Sequence, residues 1–173
     1  MTSAKVTQVP LPTSSALYAP SVPYDYADSY AAVLPDSSMT ATDAAWDFFG
    51  QAPRWVAALM RMRNSFVFLF GLKTGQGQES VERRALAPGQ KVGLFRIYSA
   101  SPTEVILGED DLHLNFRVSV LVEPGDQGKK NLVVSTVVHY QNRWGQMYFF
   151  FVRPFHRIIV PAMFRRMITR LAA

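Results

Sequence analysis

The feature that most limits what this chain can fold into is a change of hydrophobic period at Lys91. Upstream, apolar residues recur near helical spacing; downstream they alternate. Five strand-like segments follow: Lys91–Ala100, Thr103–Gly108, Leu112–Glu123, Asn131–Gln141 and Gly145–Arg153. Ser101-Pro102, Glu109-Asp110-Asp111, Pro124-Gly125-Asp126 and Asn142-Arg143-Trp144-Gly145 separate them, and these are turn-forming residues. A parallel crossover needs about a dozen residues or more, so connections this short make neighbours antiparallel. The expectation is a five-strand meander.

Helical signals flank it. Thr42 or Asp43 is placed to cap a helix that ends at Gly50. Pro53 suits the first position of a second helix reaching Gly71, with Trp55, Val56, Leu59, Met60, Phe66 and Val67 on one stripe. At the far end, Phe155, Ile159, Met163, Met167 and Leu171 recur every four residues through Pro154–Leu171, with Pro161 expected to kink the run. Tyr24–Val33, closed by Leu34-Pro35, suits an edge strand. Residues 1–22 carry Pro10, Pro12 and Pro20 among Ser, Thr and Ala and suggest a flexible N-terminal arm before a single domain, 23–173. A sheet with one apolar face needs a cover, and the last helix is the natural candidate. The class expected is α+β.

At 49% hydrophobic and 18% charged, the 173-residue chain is neither disordered nor fibrous. It has no cysteine, hence no disulfide frame and no thiolate ligand or nucleophile. Its start lacks the apolar stretch of a secretory signal, and the most apolar run, Trp55–Leu72, is broken by Arg61 and Arg63. No membrane span and a cytoplasmic location are the expectation. Charge is uneven: residues 1–50 hold one lysine against five aspartates, while Arg153, Arg157, Arg165, Arg166 and Arg170 crowd the end without an acid. Such a tail suits an anionic membrane, or simply the C-terminal end of a helix. No recognised nucleic-acid motif accompanies it, and none of the three histidines lies four residues from another, so neither nucleic acid nor a metal is expected.

The order of elements resembles the helix-grip fold of the START and Bet v 1-like (SRPBCC) superfamily, a curved antiparallel sheet wrapped around a long C-terminal helix. Gly108-Glu109-Asp110-Asp111-Leu112-His113-Leu114-Asn115-Phe116-Arg117, followed by Ser119-Val120, resembles a narrower bacterial family, domain of unknown function 2867. Pro53-Arg54-Trp55, Met62-Arg63-Asn64, Gly71-Leu72-Lys73, Ser135-Thr136-Val137-Val138 and Val152-Arg153-Pro154-Phe155-His156 extend the likeness over residues 45–170. Asn115 stands where the family pattern commonly has aspartate. The resemblance implies a fold and a pocket between sheet and helix, with no established activity and no cofactor to carry over.

Within that frame, alternation puts His113, Asn115, Arg117 and Ser119 on one side of a strand and Leu112, Leu114, Phe116 and Val118 on the other. Two readings stand open. The polar row faces water, with Asp110 and Asp111 as turn residues, or it faces the pocket, where Asp110 or Asp111 with His113 and Arg117 would supply acid–base groups. His139, Tyr140, Trp144, Tyr148, Phe150 and Phe155 are the candidates for lining an apolar site or packing a core. The functions implied are binding of a hydrophobic or amphipathic small molecule, or enzymatic cyclisation, isomerisation or dehydration in the same cavity. Phe149-Phe150-Phe151, with aromatics on both faces, also suggests a homo-oligomer contact.

Overall fold

The computed structural model describes residues 5–21, 23–49, 86–92 and 95–172. They form one antiparallel sheet, a helix of nine residues and a C-terminal helix of twenty-nine. The strands are β1 (Thr7–Val9), β2 (Tyr26–Val33), β3 (Lys91–Val92), β4 (Phe95–Ala100), β5 (Glu104–Asp110), β6 (Leu114–Pro124) and β7 (Lys130–Tyr140). The helices are α1 (Ala41–Phe49) and α2 (Arg143–Leu171), and a short 3-10 turn spans Asp126–Gly128. Sheet order is β1-β2-β7-β6-β5-β4-β3, with every pair antiparallel. This is an α+β architecture of sheet plus C-terminal helix. The second helix expected from Pro53 to Gly71 lies outside the described residues.

Three sequence expectations are corrected. Gly145–Arg153 is helix rather than a fifth meander strand, so the C-terminal helix begins eleven residues earlier than Pro154. Asn142 explains this: its side-chain oxygen accepts from the backbone N–H of both Trp144 and Gly145, each at 3.1 Å, satisfying two of the donors a helix start leaves unpaired. Gly145, Phe149, Val152, His156 and Ile159 then recur at spacings of three and four on the inward side. Continuous aromatics at Phe149-Phe150-Phe151 fit either period, and the cap decides between them. Second, Lys91–Ala100 is two strands, β3 and β4, paired with each other. Third, the cap of α1 is Thr40, whose hydroxyl accepts from the Asp43 N–H at 3.2 Å while the Asp43 carboxylate receives the Thr40 N–H and hydroxyl.

The two faces of the sheet are covered differently. One face carries Tyr30, Ile97, Leu107, Val118, Val120, Leu132 and Val134 against α1 and against Ile159, Met163, Phe164, Met167 and Ile168 of α2. The other face meets the N-terminal segment. Leu17 packs there on Ile106 and Val137, with Leu11, Tyr24 and Tyr98 around them. Residues 5–21 therefore lie along the sheet: β1 extends its edge, and prolines 10 and 12 fall just after that strand, where no ladder donor is needed. Among the described residues no helix is long and apolar enough to cross a membrane.

Candidate functional site

β2 places Tyr26, Asp28, Tyr30 and Ala32 on the helix side of the sheet, all buried. Asp28 is the odd member of that row. Its side chain is 1% exposed. Removing a carboxylate from water costs several kcal/mol unless partners replace the lost hydration. Two do so here. The Tyr26 hydroxyl donates to Asp28 Oδ2 at 2.6 Å, and His156 Nε2 on α2 lies 3.2 Å from Oδ1. His156, at 17% exposure, is the member of the pair open to solvent.

Cations and aromatic rings close the cluster. The Arg157 charge acts on the Tyr26 hydroxyl, and the Arg153 guanidinium lies 5.3 Å from the Tyr26 ring centroid. The Tyr26 ring meets Phe149 at 4.9 Å and the edge of His156 at 5.9 Å. Burial, then the hydrogen bond to Asp28, pushes the Tyr26 phenol well above its ordinary value, against the opposing pull of Arg157. Tyr30 is raised as well, by burial and then by the charge on Asp28. The arrangement joins a fixed carboxylate, a protonated phenol and an imidazole. These groups can orient a polar ligand or pass a proton.

The residues singled out in the sequence lie elsewhere. Asn115, Arg117 and Ser119 occupy the opposite face of β6 from Val118 and Val120, hence the face away from the helices. Asp110 pairs with Arg117 at 2.9 Å and accepts from the Tyr98 hydroxyl at 2.8 Å, while the Arg117 guanidinium stacks on the Tyr98 ring at 3.7 Å. A register shift between Ile97 and Ser99 frees Tyr98 to make that contact. Burial raises the Asp110 pKa, but the Tyr98 and Arg117 hydrogen bonds outweigh it, so the net shift is downward. Asp111 accepts from the Leu112 N–H. His113 meets Asn142, the cap of α2, at 3.1–3.3 Å. No Asp–His113 pair is formed; the loop anchors the start of the helix instead. Gly145 completes that anchor, since a Cβ there would overlap the His113 carbonyl.

His139 faces Asp25 at 3.6 Å and stacks obliquely on Tyr24. The three histidines thus have three different partners, and no group of three metal-ligating side chains occurs among the described residues. Tyr140 and Tyr148 pack around Phe149 in a satellite cluster with Tyr26, Leu114 and Val138. Trp144, Phe150 and Phe155 sit on the exposed side of α2. A depression of about 260 Å³ lies between Val33, Leu34, Pro35, Ser37, Gly128 and Lys129, at the end of β2 remote from Tyr26. Asp28 and Tyr26 were missed because β2 reads as a short edge strand. The available signal was a charge in an otherwise apolar alternating row, together with a histidine on the helix stripe.

No curated protein and no solved structure matches the chain. The family described as "Protein of unknown function (DUF2867)" matches residues 22–163. That span contains β2, β7, His156 and most of α2, so every member of the cluster falls within the shared part of the chain. The chain belongs to the DUF2867 family.

Proposed function

We propose that this protein binds an amphipathic small molecule between the sheet and the C-terminal helix, in a helix-grip arrangement. The polar end of the ligand meets the Asp28–Tyr26–His156 cluster and its apolar body meets the aromatic side chains around Phe149. The observation that carries the reading is the sealed carboxylate of Asp28, joined to a partly exposed histidine and bordered by Arg153 and Arg157. An apolar residue would fill that position at no electrostatic cost, and buried ion pairs are often no more stabilising than apolar replacements. An ionisable group perturbed by burial and by a specific charged partner, as Tyr26 is by Asp28, marks a candidate functional site. Tyr140 and Tyr148, adjacent to the same cluster, supply the apolar wall.

A second reading, acid–base catalysis of a cyclisation, isomerisation or dehydration, is favoured by the Asp28–His156 contact itself. Histidine ordinarily titrates near neutral pH, and a carboxylate at 3.2 Å orients its ring. Native mass spectrometry of gently purified protein, followed by denaturation and small-molecule analysis, tests both. A retained amphipathic molecule that is absent from His156→Ala supports binding at the cluster. Chemical conversion of that molecule by the wild type, lost in His156→Ala, selects the catalytic reading. A ligand-free wild type that also shows no thermal shift with a panel of fatty acids, aromatic acids and polyketide-like compounds contradicts both.

A further inference from the structure

The outward face of the first half of α2 is unlike the rest of the surface. Met147, Phe150, Phe151, Phe155 and Ile158 are all exposed, Phe150 at 72% and Ile158 at 66%. On a helical wheel these five fall within one contiguous sector, opposite the inward row of Gly145, Phe149, Val152 and His156. Arg153 and Arg157, both exposed, line one border of that sector, and exposed Arg143 falls within it at the helix start. A soluble domain rarely shows so many large apolar side chains on one helix face unless the face binds something.

Charge narrows the occupant. After Asp126 the chain contains no acidic residue, while it carries Lys129, Lys130 and six arginines. A second copy of this face, related by a two-fold axis, would bring the apolar sectors together, but neither helix would bring a carboxylate to the other's arginines. An anionic lipid surface satisfies both halves of the face: acyl chains take the phenylalanines, and headgroup phosphates take the arginines. We propose that α2 docks this face, in the plane of the interface, on a membrane rich in anionic lipid. The apolar sector is turned from the Asp28 cluster, whereas Arg153 and Arg157 border both. The charge half of the proposal therefore shares two arginines with the ligand reading, and Phe151→Ser/Phe155→Ser tests it apart from that reading.

The test is co-sedimentation of the full chain with vesicles of phosphatidylcholine alone and of phosphatidylcholine mixed with phosphatidylglycerol. Binding to the mixed vesicles is expected, weakening with salt as exposed ion contacts do. Phe151→Ser/Phe155→Ser should lower that binding roughly tenfold or more. Arg143→Gln/Arg153→Gln should do about the same and remove the preference for anionic lipid. Both pairs are exposed, and unchanged thermal midpoints would show that folding is intact. No binding to anionic vesicles at low salt overturns the proposal, as does binding equal to wild type in both double variants. A dimer dissolved by Phe151→Ser/Phe155→Ser, in a chain that ignores vesicles, would assign the face to a second copy. Protection of Phe151 and Phe155 from solvent in a monomer without vesicles would show that the face is covered within the chain. Either result overturns lipid docking.

Discussion

The two faces of the sheet hold comparable polar clusters that differ in what encloses them. On the side of the N-terminal segment, Glu104 accepts from the Ser15 and Ser119 hydroxyls, both at 2.6 Å, and from the Ala16 N–H at 2.9 Å. Every donor belongs to the segment or to the strand beneath it, so the carboxylate clasps one to the other. On the helix side, Asp28 is more deeply enclosed, yet it leads through His156 toward solvent and is bordered by two arginines. Satisfied polar groups are therefore weak evidence of function by themselves. What distinguishes the helix side is a path from a sealed charge to a titratable, partly exposed partner.

Substitutions should separate the faces, beginning with the largest effect. Asp28→Ala removes the acceptor of Tyr26 and His156 from the interior, and should cost about 3–5 kcal/mol in urea unfolding. Asp28→Asn should cost clearly less, and parity between them would contradict the charged-acceptor account. Glu104→Ala should cost about 1–3 kcal/mol, at the lower end if Ser15 and Ser119, already 3.4 Å apart, re-pair. Its sharper mark is faster proteolysis within residues 5–21 while ligand retention is unchanged. Asn142→Ala takes the cap from α2 and the partner from His113, for about 1–2 kcal/mol by thermal or denaturant unfolding.

Arg117→Gln is the smallest, below about 1 kcal/mol, because its partner Asp110 is half-exposed. The Asp110 pKa is depressed in the folded protein, so its contribution is present above the ordinary carboxylate value of about 3.9 and is lost as pH falls through the folded value. The stability gap between wild type and Arg117→Gln should shrink in acid, leaving only the part due to stacking on Tyr98. Tyr26 gives the opposite sign. Its folded pKa is raised, so its contribution is present below the ordinary tyrosine value of about 10 and is lost as pH rises through the folded value. Tyr26→Phe should flatten the alkaline loss of stability, with Tyr30, Tyr98 and Tyr140 supplying what remains.

Much of this architecture was legible in the residues. Alternation and turn-forming residues located β5, β6 and β7 to within two residues at either end, because each has a buried face and an abrupt change of direction at its ends. The same alternation sorted β6 into an apolar and a polar row, but it could not say which row met the helix. That depends on the N-terminal segment covering the second face, a long-range contact with no local period. The start of α2 was misread for a related reason: consecutive aromatics satisfy both periods, and Asn142 was taken for turn chemistry when it is a cap. The site followed the same logic. Asp110, His113 and Arg117 drew notice as a dense polar run, whereas Asp28 and His156 are 128 residues apart and meet only when β2 lies beside β7 under α2.

The most direct test compares one variant from each face by native mass spectrometry, with His156→Ala representing the helix side and Arg117→Gln the other. Both should remain folded. A ligand site at the Asp28 cluster predicts that a small molecule retained by the wild type is also retained by Arg117→Gln and lost from His156→Ala. Retention in His156→Ala with loss from Arg117→Gln would place the site on the other face and contradict that assignment.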